Sequence, residues 1–323
     1  MTKHFALATL LLASTAAMAS AADLKLGYAL AEDSHYGAGA RAFDETLKAE
    51  LGDAFTVKHF PSSGLGGERE VIEGLQIGTV DATIASSGTL SNFVPEVGVF
   101  DVPFLFRDLS HARGVLDGPI GQEMLTKFDG VGTHALAWGE QGFRHITNNR
   151  GPVATPDDLA GLKIRTMENP VQLEAFTALG AAPTPMAWPE VIPALEQGAI
   201  DGQENPLSVI VSAKLGEVQK YLSLDGHVYS PAIVMVSQKL WDSLDDTQKA
   251  AFEKAGDAAV VAMRGYVDNV EAQGVETLKA QGMQINTLTP EDKQAFQDKL
   301  ADVYVDYQNQ FGKELMDSII ASK

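Results

Sequence analysis

Apolar and polar positions follow two different periods in the first third of the sequence. Residues 23–30, 55–60 and 80–85 are short stretches in which apolar residues alternate with polar ones or run together, as in β-strands. Residues 37–51 and 68–78 lie between them and place apolar residues three or four positions apart, as amphipathic helices do. Because strands and helices alternate, the pattern predicts an α/β architecture with parallel strands.

The last third of the sequence has a different pattern. Residues 245–281 are rich in Ala, Glu and Lys and predict one long helix. Residues 290–322 predict further helix, and Pro290 suits a helix start because its missing N–H needs no partner there. We therefore expect residues 236–323 to form a helical region on the outside of the α/β body.

A twelve-residue segment recurs with an offset of 120: residues 70–81 read EVIEGLQIGTVD and residues 190–201 read EVIPALEQGAID. The coinciding positions are Glu70/Glu190, Val71/Val191, Ile72/Ile192, Leu75/Leu195, Gly78/Gly198 and Asp81/Asp201. Each copy predicts an amphipathic helix, a glycine cap and a strand start. The recurrence is either a chance repeat of a common arrangement or the mark of two similarly built lobes. In the second case the strand ends face a shared cleft, where open α/β sheets bind ligands.

The first 22 residues have the features of a secretory signal peptide. Lys3 and His4 form a basic start, residues 5–13 are apolar but too short to span a bilayer, and small residues at 17–21 offer cleavage sites. We expect export to the periplasm and no stable membrane insertion.

Composition narrows the function further. The chain has no cysteine, which removes disulfides, thiol catalysis and Cys-ligated metals together. A net charge of -19 argues against binding to nucleic acid or to an anionic membrane surface. The length and the 45% apolar content are sufficient for a buried core in two lobes.

Catalytic and cofactor motifs are absent from the sequence. It contains no His-Glu-x-x-His pair, no Gly-x-Ser-x-Gly elbow and no phosphate loop. Residues 37–42 read GAGARA after the first strand, but Glu32 and Asp33 lie where a pyrophosphate would bind. We interpret these small residues as close helix packing and predict no enzymatic activity, no cofactor and no metal.

Two arginines have the setting of an anion site. Arg165 ends the predicted strand Leu-Lys-Ile-Arg, and Arg144 lies in the segment GFRHITN. A guanidinium at a strand end can hold a carboxylate through two parallel hydrogen bonds. The alternatives are a structural salt bridge or a surface position for Arg144, and a solvated strand end for Arg165.

Further candidates are polar or aromatic residues beside predicted strands and helices. Asn205 follows the polar run Asp-Gly-Gln-Glu and is either a ligand-facing amide or part of an Asx-type loop. Trp188 is either core or an aromatic wall of a pocket. The weaker candidates are His35, Tyr36, Glu68, Ser86 and Ser87.

Six further motifs follow one another in a fixed order: SGLGGERE at 63–70, PFLF at 103–106, GFR at 142–144, LKIR at 162–165, PTPM at 183–186 and AIDGQENP at 199–206. Together they resemble the solute receptors of tripartite ATP-independent periplasmic (TRAP) transporters, of the dicarboxylate-receptor (DctP) type. The resemblance covers nearly the whole chain after the signal peptide. It implies a two-lobe periplasmic-binding-protein clamshell (type II-like) with hinge strands and long C-terminal helices. We expect lobe I at 23–145, lobe II at 146–235, and helices of 236–323 across both.

The resemblance also implies roles for the site residues. Arg165 would make the main bidentate contact with a ligand carboxylate, Arg144 would assist, and Asn205 would bond the same end. Trp188 would stack on or cap the ligand. The other end would face His35, Tyr36, Glu68, Ser86 and Ser87.

The implied function is capture of a small organic anion and its delivery to the small and large TRAP membrane subunits. Candidate ligands are a C4-dicarboxylate, a hydroxy or sugar acid, or a sulfonate. Sialic-acid receptors often carry an acid near position 86, so Ser86 argues against that ligand. Two alternatives remain: a receptor that serves a chemoreceptor or sensor kinase, and a periplasmic enzyme, which the missing nucleophile–base set disfavours.

Overall fold

A computed structural model describes residues 22–322, and the predicted signal peptide lies almost wholly outside the described residues. The strands are β1 (Ala22–Tyr28), β2 (Phe55–Phe60), β3 (Ala82–Ser86), β4 (Thr133–Asn148), β5 (Lys163–Thr166), β6 (Ala182–Pro185), β7 (Gly202–Pro206), β8 (Tyr221–Ser237) and β9 (Gln284–Thr287). They form one sheet in the order β2-β1-β3-β8-β4-β7-β5-β6, and β9 pairs with β8.

Thirteen α-helices accompany this sheet in the described part of the chain. They are α1 (His35–Leu51), α2 (Glu68–Ile77), α3 (Ser87–Leu90), α4 (Leu109–Asp117), α5 (Pro119–Thr126), α6 (Pro170–Ala178), α7 (Trp188–Glu196), α8 (Leu207–Ser212), α9 (Gln238–Ser243), α10 (Asp246–Ala280), α11 (Pro290–Lys299), α12 (Ala301–Phe311) and α13 (Lys313–Ala321). Within residues 22–322, no helix has both the length and the apolar character needed to cross a membrane.

Two long antiparallel strands, β4 and β8, join the two lobes. Strand β3 pairs with β8 at residues 232–236, and strand β7 pairs with β4 at residues 144–148. We call the β1–β3 end lobe I, the β5–β7 end lobe II, and β4 and β8 the hinge strands. The predicted boundary between the lobes at 145/146 falls inside β4. The predicted lobe II also included residues 232–235 of β8, which pair with β3 of lobe I.

The recurrent segment marks two similarly built lobes. The strand order reads the same from either end around the hinge strands, so β2-β1-β3 corresponds to β6-β5-β7. Gly78 and Gly198 follow α2 and α7 with φ of 71° and 68°. Asp81 accepts a hydrogen bond from the Lys25 backbone N–H at 2.8 Å, and Asp201 accepts one from the Lys163 N–H at 2.9 Å.

The long helix α10 packs against both lobes. In lobe I, Phe43 of α1 and Phe252 of α10 meet with ring centroids 5.8 Å apart. Gly139 of β4 lets α10 approach closely, because a Cβ there would lie 2.1 Å from the Met263 Cε. At Gly39, a Cβ would lie 2.9 Å from the Met263 Cγ, as expected from the interpretation of residues 37–42 as close packing.

The C-terminal region is helical, as predicted, with two differences. The single stretch predicted at 290–322 is three helices, with breaks at Leu300 and at Gly312, whose φ is 91°. Strand β9 was not predicted. Its four residues add a parallel edge to β8 through Tyr221↔Gln284 and the following pairs. A four-residue strand has too few positions to show a period.

Candidate functional site

A cavity lies between the lobes, at the carboxyl ends of the parallel strands. We call it the interlobe cavity. Six of the nine predicted site residues line it: Tyr36, Glu68, Ser86, Arg165, Trp188 and Asn205.

Arg165 is a buried cation without an acidic partner in the described part of the chain. It is 3% exposed, and its Nε and Nη2 both donate to the Met186 carbonyl, at 3.0 and 2.7 Å. Its guanidinium carbon lies 5.9 Å from the centroid of the Trp188 ring, a cation–π distance. Burial lowers the pKa of Arg165 to about 10. A ligand carboxylate would supply the counter-charge that this site lacks.

Arg144 lies behind the cavity, fully buried, and is paired with Glu204. Its Nη2 donates to the Glu204 Oε1 at 2.8 Å, to the Glu204 carbonyl at 2.7 Å and to the Asn205 Oδ1 at 3.2 Å. Its Nη1 donates to the Ser230 hydroxyl at 3.3 Å. Arg144 therefore contacts the cavity wall through Asn205. Direct contact between Arg144 and a ligand stays a prediction.

Asn205 is held in place by the pairing of β7 with β4. It lies in β7 opposite His145 rather than in an Asx-type loop, and it is 4% exposed. Its Oδ1 accepts from Arg144, and its Nδ2 donates to the Gln203 side chain. This pairing fixes the orientation of the amide at the cavity wall.

Glu68 forms the opposite, lobe I end of the cavity. Its Oε1 accepts from the Ser86 backbone N–H at 3.0 Å and from the Tyr36 hydroxyl at 3.4 Å. Its Oε2 accepts from the Thr89 hydroxyl at 2.8 Å. Burial raises the pKa of the Glu68 carboxyl, against the opposing effects of these hydrogen bonds and of Arg165.

Trp188 is the first residue of α7. It had been predicted either as a core residue or as a wall of a pocket, and its position combines the two. Its partly buried ring packs against the apolar clusters of both lobes, and it also lines the interlobe cavity. Pro189 follows it at the start of the helix, where the absence of an N–H costs nothing.

His35 and Ser87 are not among the residues that line the cavity. His35 is fully buried against Tyr36, with ring centroids 4.6 Å apart, and burial lowers its pKa to about 3. The Ser87 hydroxyl donates to the Asp101 Oδ1 at 3.2 Å. Both support residues near the cavity, and their contact with a ligand stays a prediction.

Several residues of the cavity wall were not predicted from the sequence. Gln141 of β4 is 4% exposed, and its Nε2 has no hydrogen-bond partner within residues 22–322. It directly precedes the GFR motif, which was its only signal. Thr89 and Met167 also line the cavity. At the mouth, Arg69 of lobe I and Glu168 of lobe II form an ion pair of 3.9 Å.

The two lobes touch along one rim of the cavity. The Asn169 Nδ2 donates to the Gly88 carbonyl at 3.0 Å, and the Asn92 Nδ2 donates to the Glu168 carbonyl at 2.6 Å. These contacts join lobe II to α3 and to the turn after it in lobe I, as in a closed clamshell. No group of three or more metal-ligating side chains that could hold an ion occurs among residues 22–322.

Comparisons with known proteins agree with this fold. A TRAP periplasmic solute-binding protein from Bordetella bronchiseptica, with density assigned to pantoate, is 57% identical over 94% of this chain and 99% of that chain, with a TM-score of 0.91. One from Polaromonas sp. JS666, bound to D-erythronate, is 47% identical over the same shares, with a TM-score of 0.91. The 2,3-diketo-L-gulonate-binding periplasmic protein of Escherichia coli is 37% identical over 89% of this chain and 87% of its own length.

These similarities confirm the predicted clamshell fold and the family resemblance. Residues 26–310 match the family described as bacterial extracellular solute-binding protein, family 7 (DctP). The chain therefore belongs to this family of periplasmic solute-binding receptors, which are not enzymes.

Proposed function

We propose that this protein captures a small organic acid anion in the interlobe cavity and delivers it to the membrane subunits of a TRAP transporter. The observation that carries the proposal is Arg165, a buried guanidinium without a carboxylate partner among the described residues. A planar guanidinium can hold a carboxylate with two parallel hydrogen bonds. Asn205 and Trp188, beside it in the cavity wall, would fix the same end of the ligand.

The ligand candidates are a hydroxy or sugar acid, a C4-dicarboxylate and a sulfonate. Three of the similar proteins are associated with acids that also carry hydroxyl or keto groups: one has density assigned to pantoate, one is bound to D-erythronate and one is named for 2,3-diketo-L-gulonate. Others are bound to succinate. The hydroxyl and amide groups in the cavity wall suit acids with hydroxyl or keto groups, so we expect a hydroxy or sugar acid.

Closure of the two lobes would couple binding to transport. A ligand that touches Arg165 in lobe II and Glu68 or Tyr36 in lobe I makes more contacts in the closed state than in the open one. It therefore shifts the population toward closure. Exclusion of water lowers the local dielectric and strengthens the contact between Arg165 and the carboxylate. The predicted signal peptide would place this capture in the periplasm.

A thermal-shift screen of organic acids, followed by calorimetry, tests the proposal. A ligand that binds only the folded protein raises the unfolding temperature by mass action. We expect pantoate, D-erythronate or D-galactonate to raise it, and Arg165→Ala to remove about 2–5 kcal/mol of the binding free energy. Unchanged affinity of Arg165→Ala for a bound acid would contradict the assignment of the site. Turnover of the bound acid would instead favour the enzyme alternative.

A further inference from the structure

Among the charged side chains of the interlobe cavity, one cation and one acid form no ion pair with another side chain of the described residues. Four charged side chains line it: Arg165, Glu68, Arg69 and Glu168. Arg69 is exposed at the mouth and faces Glu168 at 3.9 Å and Glu73 at 3.4 Å. Inside the mouth, Arg165 of lobe II and Glu68 of lobe I line the cavity from opposite lobes.

The lobe I cation that lines the cavity, Arg69, is exposed at the mouth and already faces Glu168 and Glu73, so it is a weak partner for a second carboxylate on the ligand. Arg144 lies behind Asn205, and its charge is balanced by the buried carboxylate of Glu204. His35 is fully buried outside the cavity wall, and burial keeps it neutral. A second carboxylate would instead face Glu68.

The lobe I end is suited to hydroxyl groups. A carboxylate offers about four lone-pair positions. Glu68 uses three of them, two on Oε1 for Ser86 and Tyr36 and one on Oε2 for Thr89. One position on Oε2 is left for an O–H of a ligand. Gln141 adds a buried amide Nε2 without a partner among the described residues, which can donate to a hydroxyl oxygen.

We infer that the interlobe cavity selects a hydroxylated monocarboxylate over a dicarboxylate of the same length, and that Glu68 is the residue that makes this distinction. The inference rests on the proposed receptor function, since it concerns the far end of a ligand whose carboxylate meets Arg165. Glu68 accepts an O–H of the ligand and repels a second carboxylate. Like charges brought together at a binding site weaken binding strongly.

Matched pairs of acids test this selectivity. Meso-tartrate is D-erythronate with its terminal CH₂OH oxidised to a carboxylate, and galactarate has the same relation to D-galactonate. Calorimetry on the purified protein at neutral pH would give the affinity ratio within each pair. We expect the dicarboxylate to bind at least about a hundredfold more weakly than the monocarboxylate in the pair that binds.

Glu68→Gln is the decisive variant, because it removes the charge and nearly keeps the shape. The new amide oxygen can still accept from Ser86, and the Thr89 hydroxyl can turn to accept from the amide N–H. We expect the variant to lower the monocarboxylate preference at least tenfold, a change of about 1.4 kcal/mol. Glu70→Gln is the matched control, since Glu70 is exposed in the same first turn of α2 and lies outside the cavity wall.

The outcomes separate the inference from the proposed function. Equal or tighter binding of the dicarboxylate by the unaltered protein would overturn the inference and leave the receptor function standing. A preference that persists in Glu68→Gln, or that falls equally in Glu70→Gln, would also overturn it. Failure of all four acids to bind would count against the proposed function, and the inference would fall with it. A thermal melt of each variant confirms that it is folded.

Discussion

The buried pair Arg144–Glu204 allows the sharpest test of the hinge. Both side chains are fully buried, and their contact joins the hinge strand β4 to β7 beside the cavity. Glu204→Gln keeps the shape of the side chain but leaves the Arg144 charge buried without its counter-ion. Removal of one partner from a buried pair costs about 3–5 kcal/mol. We expect a loss of this size in the free energy of unfolding.

His227 should make that loss depend on pH. Its Nε2 lies 3.2 Å from Glu204, and its Nδ1 lies 2.7 Å from Asp225. Burial alone would lower the pKa of His227, but Asp225 and Glu204 raise it to about 9. A raised histidine pKa stabilises the fold fully below the unfolded value of about 6.5, and this contribution disappears as the pH rises through 9. Without Glu204 the contribution shrinks, so the penalty should be largest near pH 6 and smaller near pH 9.

Chemical denaturation followed by tryptophan fluorescence at pH 6 and pH 9 measures both effects. Arg144→Met removes the stranded charge, so the double variant Arg144→Met/Glu204→Gln should be more stable than Glu204→Gln alone. Native stability of Glu204→Gln at pH 6 would refute this account of the pair. A stable Arg144→Met protein that loses ligand affinity would show that Arg144 contributes to binding, either directly or through its hydrogen bond to Asn205.

Three other predictions concern the cavity, the rim and the core. Arg165→Lys should bind the ligand more weakly in calorimetry, because a lysine cannot reproduce the two parallel bonds, and unchanged affinity would exclude a bidentate contact. Burial raises the pKa of Asp101 to about 7, so its contribution to stability is present below its unfolded value and is lost as the pH rises through 7. The full contribution is about 4 kcal/mol, and about 2.5 kcal/mol of it is lost between pH 5 and pH 7.5. Asp101→Asn should remove this pH dependence, and denaturation at these two pH values checks it. Gly139→Ala should cost about 1–3 kcal/mol, because its Cβ would lie 2.1 Å from the Met263 Cε. Gly265→Ala in α10 is the control for this variant, because nothing lies within 4 Å of a Cβ at Gly265 and alanine has the higher helix propensity. Equal stability of the two variants would contradict the packing argument.

The elements that sequence periodicity predicted best are those with one buried face. The strand predicted at 55–60 is Phe55–Phe60, and the helix predicted at 245–281 is Asp246–Ala280. The family resemblance implied hinge strands, but periodicity did not predict the bounds of β4 and β8. They lie in the middle of the sheet and are buried on both faces for most of their length, so they lack a simple alternation.

The candidate site was predictable in its residue types but not in its pairings. Arg144 and Glu204 are 60 positions apart in sequence and meet only because β7 pairs with β4 in one particular register. A register shifted by one residue would turn Glu204 to the other face of the sheet. The sequence could therefore propose Arg144 as an anion site without revealing that the protein supplies the anion itself. Gln141 was missed because it lies on hinge strand β4, whose bounds periodicity did not predict.

The offset of 120 residues also carries an unused clue about the ligand. It maps Glu68 onto Trp188, and these are the first residues of α2 and α7 and face the same cavity. The hydrogen bonds of Asp81 with Lys25 and of Asp201 with Lys163 occupy matching positions in the two lobes. Gly27 and Arg165 each lie two residues after the lysine, so they correspond as well.

At both pairs of positions the lobes differ in chemistry while the backbone repeats. Lobe I presents a glycine and an acid where lobe II presents an arginine and a tryptophan. Under the proposed function, this asymmetric set of side chains on a symmetric scaffold would bind a ligand in one orientation only, with its carboxylate at lobe II and its hydroxyl groups at lobe I. The proposed binding specificity would therefore lie at the positions where the two lobes differ.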